Sequence, residues 1–450
     1  MERRGPVAGC PGPWRLGAAA SSTPQARGKL CDMKTRVVIV GAGVIGLSTA
    51  WYCVRRGMDV CVLDRNGPER DGCSFGNAGL VVPSHFIPLA APGMVKLALK
   101  WMFRPDSPFY VRPRLDPGLW GWAWRFWRAA TRAHVERAAP VLRDLLLAGR
   151  QAFEQLAANA GPELGLEKKG LLMLCATGHG LEEEAKAAAQ ARQLGMPAEV
   201  LDAEQVRRMN PGLQLQIVGA AFYPMDCHLK PERFMSTLQR MSGEAGARFL
   251  WQAEVQDWVV QANRIRGVRL RDGSTVEGDA FVLSAGVWSA ELAAKLGLRL
   301  PLQGGKGYSL TLPAPRQRPQ MGCLCTEARV AVTPMNGALR VGGTMELVGT
   351  DPSINPVRIR GLVNSFCRYF PDFRPEDFDR IPPWAGLRPC SPDGLPYLGR
   401  PSGWENLWIA TGHAMLGLSL GPATGQWLAE AIAGRRSESA PPLLAPDRYH

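Results

Sequence analysis

Residues 36–46 read Arg-Val-Val-Ile-Val-Gly-Ala-Gly-Val-Ile-Gly, and they decide the fold. Arg36–Val40 is a short apolar β run that enters Gly41-Ala42-Gly43-Val44-Ile45-Gly46. A helical stretch follows from Leu47 to Arg56 and ends at Gly57. Asp59–Leu63 is a second β run, closed by Asp64. Strand, GxGxxG, helix, strand and acid make a dinucleotide-binding unit, and each part has a physical job. Gly41 permits the tight turn, Gly43 lets the backbone approach a pyrophosphate, and Gly46 lets helix and strand pack closely. The start of the helix offers free N–H groups and a positive dipole end to phosphates. Asp64, eighteen positions after Gly46, is placed to accept hydrogen bonds from ribose hydroxyls. Val40, Val44, Ile45 and Arg65 join this set of cofactor-binding candidates. An acid at 64 repels a 2′-phosphate, which argues against NADP and leaves FAD and NAD.

The next stretch outward separates those two. Ser74-Phe75-Gly76-Asn77-Ala78-Gly79 is a second loop of small residues. A flavin needs one, because its wide ring system must lie against backbone. Ser74, Asn77, Ala78 and Gly79 are therefore candidates. Far along the chain, Gly412-His413-Ala414-Met415-Leu416-Gly417 leads into an expected helix at Leu418–Ala433. A helix N-terminus at the flavin would stabilise negative charge at N1–C2=O. That adds Gly412, Met415, Leu416, Gly417 and Leu418. Ala280–Ser284 with Ala285-Gly286 provides a further strand-to-backbone contact, and Val255 and Trp288 complete the set.

The rest of the composition narrows the class. The chain has 450 residues, enough for two or three folding units, and 46% hydrophobic residues rule out wholesale disorder. A net charge of +13 favours anionic partners without choosing among them. The 11 cysteines have no CxxC pair or metal-site spacing and read as reduced thiols of a cytosolic-type compartment. No metal site, Ser-His-Asp order or P-loop is visible. The long uncharged runs 72–95 and 406–429 are broken by Pro and Gly and are rejected as membrane spans. Residues 1–32, basic and without apolar periodicity, read as a disordered leader or an extension. Further elements are expected as helices at 140–161, 182–193, 231–243 and 356–369. A β meander is expected over 249–286, with long β runs at 298–312 and 329–343.

The ordered blocks VVIVGAGVIGLSTAWY (37–52), SFGNAGLVVPS (74–84), PLAAPGMVKLALKWMF (88–103), GVWSAELAAKLGL (286–298), GLRPCSPDGLPYLG (386–399) and GHAMLGLSLGPATGQWLAEAIAG (412–434) carry a resemblance. The chain from Met33 onward is similar to the D-amino-acid-oxidase-like superfamily of FAD enzymes, and within it to the bacterial D-amino acid and D-proline or D-hydroxyproline dehydrogenases. The fold this implies is α/β and α+β. A discontinuous Rossmann-like FAD-binding domain (33–86, 218–298, 386–434) would sit beside a substrate domain on a large mixed β-sheet (87–217, 299–385). Residues 435–450 would form a tail.

The resemblance also implies roles. Arg388 would bind a substrate carboxylate, since its planar fork suits two-point recognition. Tyr308 would add a hydrogen bond to that carboxylate, and His413 would lie near the flavin. Asp226 and His228 match a structural turn. Some relatives attach FAD through a Cys at the position of Gly386, so non-covalent FAD is expected here. Met415 replaces an Arg of glycine-oxidase-like relatives, which argues against a glycine-specific pocket.

The expected reaction moves a hydride from Cα of a D-amino acid to flavin N5. The imine then hydrolyses to a 2-oxo acid and ammonium. D-Proline and 4-hydroxy-D-proline are alternative substrates, oxygen is an alternative acceptor to a quinone, and an RNA-modifying FAD protein is the rival of another class. No nucleic acid is expected. Five of the 14 Trp (Trp101, Trp120, Trp122, Trp124, Trp127) fall among Lys96, Lys100, Arg104, Arg112, Arg114, Arg125, Arg128 and Arg132. That mixture points to a cytoplasmic protein in peripheral contact with the inner membrane, where a quinone dissolves.

Overall fold

The computed structural model describes residues 34–102, 107–435 and 440–449. The expected leader at 1–32 and Arg104 lie outside these. Strand β1 (Arg36–Val40) is apolar on both faces and buried from Val37 onward, the pattern of a central parallel strand. It pairs in parallel with β2 (Asp59–Leu63) on one side and with Ala280–Leu283 on the other. The six-stranded sheet runs Tyr397–Gly399, Leu407–Thr411, Ala280–Leu283, β1, β2, Arg248–Leu250. Only Tyr397–Gly399 is antiparallel to its neighbour.

Helix α1 (Val44–Val54) crosses from β1 to β2 with all eleven residues buried. Against it lies the helix Gly417–Ile432, drawn close enough that a Cβ on Gly425 would come within 2.4 Å of the Ser48 backbone. This sheet and its helices hold the nucleotide motif.

The second sheet has nine strands and is mixed. Trp384–Cys390 forms one edge and pairs with Gln303–Leu312, which pairs in turn with Ala338–Leu347. A separate three-stranded antiparallel sheet, Val255–Gln261, Arg264–Leu270 and Thr275–Glu277, hangs beside the first.

Several expectations need correction. The expected meander over 249–286 is only those three strands, because Arg248–Leu250 and Ala280–Leu283 are drawn into the parallel sheet. The run 329–343 is not one strand but a hairpin, Val330–Met335 and Ala338–Leu347. Gly219–Tyr223, expected within the FAD-binding segments, pairs in the nine-stranded sheet, and Trp384–Cys390 straddles the expected boundary at 386. Within the expected C-terminal tail, Arg448 pairs with Asp393 at 2.7 Å. The helix expected at 140–161 begins earlier, as Arg132–Ala160.

Candidate active site

The loop that opens α1 is shaped by contacts no side chain would permit. Gly41 has φ +104°, and a Cβ there would press to 2.6 Å from the Ser284 carbonyl oxygen. A Cβ on Gly46 would fall 1.8 Å from the Gly41 carbonyl oxygen. Asp64 holds the loop from below: one carboxylate oxygen accepts from the Ala42 N–H at 2.8 Å, the other from the Asn66 N–H at 2.9 Å. Ser74 Oγ accepts from the Val44 N–H at 3.0 Å and so ties the second small-residue loop to the first turn of α1.

These loops line one cleft that opens to solvent. Its wall brings together Val40, Gly41, Gly43, Val44, Ile45, Asp64, Arg65, Ser74, Asn77, Val255, Ala285, Gly286, Trp288, Met415, Gly417 and Leu418, with Arg388 and His413 at the same cleft. Gly46, Ala78, Gly79, Gly412 and Leu416 are not in the wall. Gly46 packs behind the loop instead, and Gly79 packs against the Leu229 carbonyl.

Two wall residues carry chemistry the sequence did not reveal. Arg70 is 7% exposed; its Nε donates to the Ala42 carbonyl at 3.0 Å and its Nη1 to Gln239 at 2.9 Å. Its Nη2 has no partner among the described residues. A buried guanidinium nitrogen left open beside a helix N-terminus fits an anionic cofactor group such as a pyrophosphate. Cys73 also lines the cleft, its thiol pushed up by burial and opposed by Arg388. The only available signal for Arg70 was its place a few residues beyond Asp64. At the far end the Arg65 guanidinium lies 3.7 Å from the centroid of the Trp288 ring, forming a flat surface for a planar group.

Arg388 sits on the edge strand Trp384–Cys390. Its Nη1 donates to the Thr344 carbonyl at 2.9 Å, and that oxygen is presented by a bulge. The guanidinium lies flat over Gly307, where a Cβ would come within 2.2 Å of both Nη atoms. Its Nη2 and Nε make no hydrogen bond among the described residues, so one edge of the fork is open to the cleft.

Tyr308 does not join it. Side chains alternate along a strand, and since Gly307 faces Arg388, Tyr308 points to the opposite face. Its hydroxyl donates to Glu346 at 2.6 Å and accepts from the Asn355 N–H at 3.2 Å. There it belongs to a buried network in which Lys306 lies 3.3 Å and Arg358 3.2 Å from Glu346.

His413 is 3% exposed, with Nε2 3.1 Å from Thr424 Oγ1. Burial drives its pKa down to about 3, so the ring is neutral near pH 7. A neutral, fixed imidazole serves as a hydrogen-bonding group rather than as a proton carrier at that pH. Asp226 and Ser84 pair away from the cleft, through a 2.5 Å hydrogen bond. No cluster suited to a metal ion occurs among the described residues.

A dinucleotide turn, a second small-residue loop and a helix N-terminus around one cleft, with an arginine at its mouth, define a flavin-dependent oxidoreductase. The model of the FAD dependent oxidoreductase (DAO) family matches residues 36–431, and the chain belongs to that family. A D-amino acid dehydrogenase of Paramagnetospirillum magneticum is 33% identical over 92% of this chain and 99% of its own length. One from Bradyrhizobium diazoefficiens is 32% identical over 92% of this chain and 99% of its own. Among solved structures, glycine oxidase from Geobacillus kaustophilus superposes with a TM-score of 0.73 at 22% identity, over 93% of this chain and 100% of that one. The protein is thus an FAD-dependent oxidoreductase.

Proposed function

We propose that this enzyme oxidises D-amino acids to 2-oxo acids with non-covalently bound FAD and passes the electrons to a quinone-type acceptor. The observation that carries the reading is the open edge of Arg388. One side of the guanidinium is fixed by the Thr344 carbonyl and the other faces the cofactor cleft. That edge suits two-point binding of an α-carboxylate, which would hold Cα in one orientation over the cleft.

FAD, when bound, supplies the two-electron acceptor. Gly41, Gly43 and the first turn of α1 would face its pyrophosphate with Arg70, Asp64 its ribose, and Arg65 with Trp288 its adenine. Leu387, Pro389 and Met415 add apolar surface to the cleft wall. The substrate gives up two electrons and two protons, and water then converts the imine to a 2-oxo acid and ammonium. D-Proline and 4-hydroxy-D-proline fit the same step as secondary amines. Non-covalent binding is supported at Gly386, where a Cβ would lie 2.1 Å from the Trp384 ring; the indole fills the space a linking side chain would need. The proposal places the enzyme in the cytoplasm, peripheral to the inner membrane.

Anaerobic mixing of the holoenzyme with single D-amino acids, their L-enantiomers, glycine and the cyclic imino acids tests this. The flavin absorbance should bleach with D-enantiomers. Bleaching by L-enantiomers alone would sink the proposal. Reoxidation should be much faster with a soluble quinone analogue than with oxygen; the reverse would establish an oxidase.

A further inference from the structure

We propose that Ser309 and Arg340 are positioning residues: from the nine-stranded sheet they hold the small-residue loop Phe75–Asn77, and with it the flavin, in a fixed place against Arg388. The proposal deepens the reading above and rests on it, since it takes that loop to carry the flavin and Arg388 to receive the carboxylate.

The strand Gln303–Leu312 supplies the row of anchors. Side chains alternate along it, so Gly307, Ser309 and Thr311 share one face and Tyr308 has the other. Gly307 seats the Arg388 guanidinium. Ser309 is buried, and its hydroxyl donates to the Gly76 carbonyl at 2.8 Å. Thr311 lies directly opposite Arg340 on the paired strand Ala338–Leu347, and its Oγ1 accepts from Arg340 Nε at 2.9 Å. Arg340 is buried as well. Its Nη1 donates to the Phe75 and Asn77 carbonyls at 3.2 and 3.0 Å. Its Nη2 pairs with Glu232, in the first turn of the helix Pro231–Glu244, which balances the charge. Three successive loop carbonyls are thus bonded to side chains of one sheet.

The edge strand closes the arrangement. Trp384 pairs with Ser309 and Gly386 with Gly307, so Trp384, Gly386 and Arg388 share a face of their own strand. The Trp384 ring covers Gly76, where a Cβ would come within 2.1 Å, and its indole N–H donates to the Asp71 carbonyl at 2.8 Å. On its other side the loop is tied to α1 by the Ser74 contact with the Val44 N–H. It therefore joins the dinucleotide turn to the sheet that carries Arg388.

These contacts fix orientation as well as place. A trans peptide is planar, so a carbonyl held toward the sheet turns the N–H that follows it away from the sheet. Two residues along a strand span about 7 Å, so backbone alone sets the interval between the Gly307 seat and the Ser309 anchor. Reacting atoms must come within about 3–3.5 Å, and a misplacement of about 1 Å costs on the order of a hundredfold in rate. Arg suits position 340 because its planar, permanently charged fork reaches two carbonyls, a hydroxyl and a carboxylate at once. Neither Ser309 nor Arg340 is in the cleft wall, so each acts through the loop.

The test uses holoenzymes in excess FAD, mixed anaerobically in a stopped-flow instrument with the D-amino acid that bleaches the wild type fastest. Ser309→Ala should lower the limiting rate of flavin reduction by about tenfold. The substrate dissociation constant should stay within about twofold of wild type. Arg340→Met should lower the rate further, and Arg340→Lys, which keeps a cationic donor for the loop carbonyls, should recover part of the loss. The visible circular dichroism of bound flavin reads the surroundings of the ring without turnover. It should change in Ser309→Ala while the melting temperature stays within about 4 °C of wild type.

Ser309→Ala enzyme with the wild-type reduction rate and the wild-type flavin dichroism would overturn the proposal. So would a loss confined to substrate affinity, or a variant that only melts earlier, since the contacts would then hold the fold and nothing more. Wild-type flavin that no D-amino acid bleaches would instead defeat the proposed chemistry, and the dichroism of the variants would still decide whether these residues place the flavin.

Discussion

Gly307 bears no side chain because Arg388 occupies the space where one would be. With a Cβ 2.2 Å from both terminal nitrogens, Gly307→Ala must push the guanidinium off its seat. We expect this variant to keep its flavin and to lose at least about tenfold in kcat/KM for a D-amino acid, measured with a soluble acceptor. Wild-type kinetics would show that the carboxylate binds elsewhere. Arg388→Ala removes the charge-assisted pair itself and should raise KM steeply, by an amount equivalent to about 2–5 kcal/mol, again with flavin retained.

The block GLRP marked Arg388 as the candidate for a carboxylate, the role proposed above, but gave no view of its seat. The Thr344 carbonyl reaches it only because Thr344 adopts φ +64°, a conformation a β-branched residue rarely takes. No sequence rule would place a Thr there. Tyr308 misled because its strand was readable and its phase was not: a shift of one residue turns a side chain to the other face.

At the scale of elements, short segments fasten the large ones. Arg448, near the C-terminus, holds Asp393 through two bonds of 2.7 and 3.0 Å and donates to the Leu395 and Pro396 carbonyls at 2.8 and 3.2 Å. Asp393 is itself 6% exposed. Arg448→Ala should therefore leave a buried carboxylate without its counter-charge. We expect a loss of roughly 3–5 kcal/mol in urea unfolding, with Asp393→Asn in the same chain recovering part of it. A change below about 1 kcal/mol would mean that the segment frays in solution.

Composition gave no hint of this docking, since a Pro/Leu/Ala-rich ending reads as a tail. The hairpin at Asn336-Gly337 is the opposite case. Both residues have positive φ, 48° and 96°, the turn that Asn-Gly favours between paired strands. The dipeptide was visible, and the apolar run around it concealed it. In the nucleotide motif Gly41 and Gly46 were legible as single residues because steric exclusion there leaves glycine as the only solution.

For the whole molecule, the cleft proposed to receive FAD is walled by segments distant in sequence, from Val40 to Leu418, so bound cofactor should stabilise all of them together. Saturating FAD at about a hundred times its Kd would add about 2.7 kcal/mol to the apoprotein. Acid precipitation should release the flavin to the supernatant, and flavin in the pellet would show a covalent bond. Acid should also weaken the fold, and buried histidines set the direction. Burial lowers His413 to about 3, and lowers His85 and His228 to about 4, the last against an opposing pull from Glu167. In the unfolded chain each returns to about 6.5. From about pH 6.5 down to 4 the unfolded state thus binds up to three more protons than the folded one at these sites, so stability falls as pH falls. Asp226 works the other way. Burial raises it to about 7, against the hydrogen bonds from Ser84, so across the same window the folded state holds one proton that the unfolded chain has released. Three sites outweigh one, and the net slope is a loss of stability on acidification from a plateau above about pH 7. Melting temperatures of the holoenzyme recorded from pH 7 to 4.5 should fall throughout. Asp226→Asn, which removes the opposing proton, should steepen that fall, while His413→Asn should make it shallower. A melting temperature that holds level to pH 4.5 in the wild type would mean that these imidazoles are hydrated in solution.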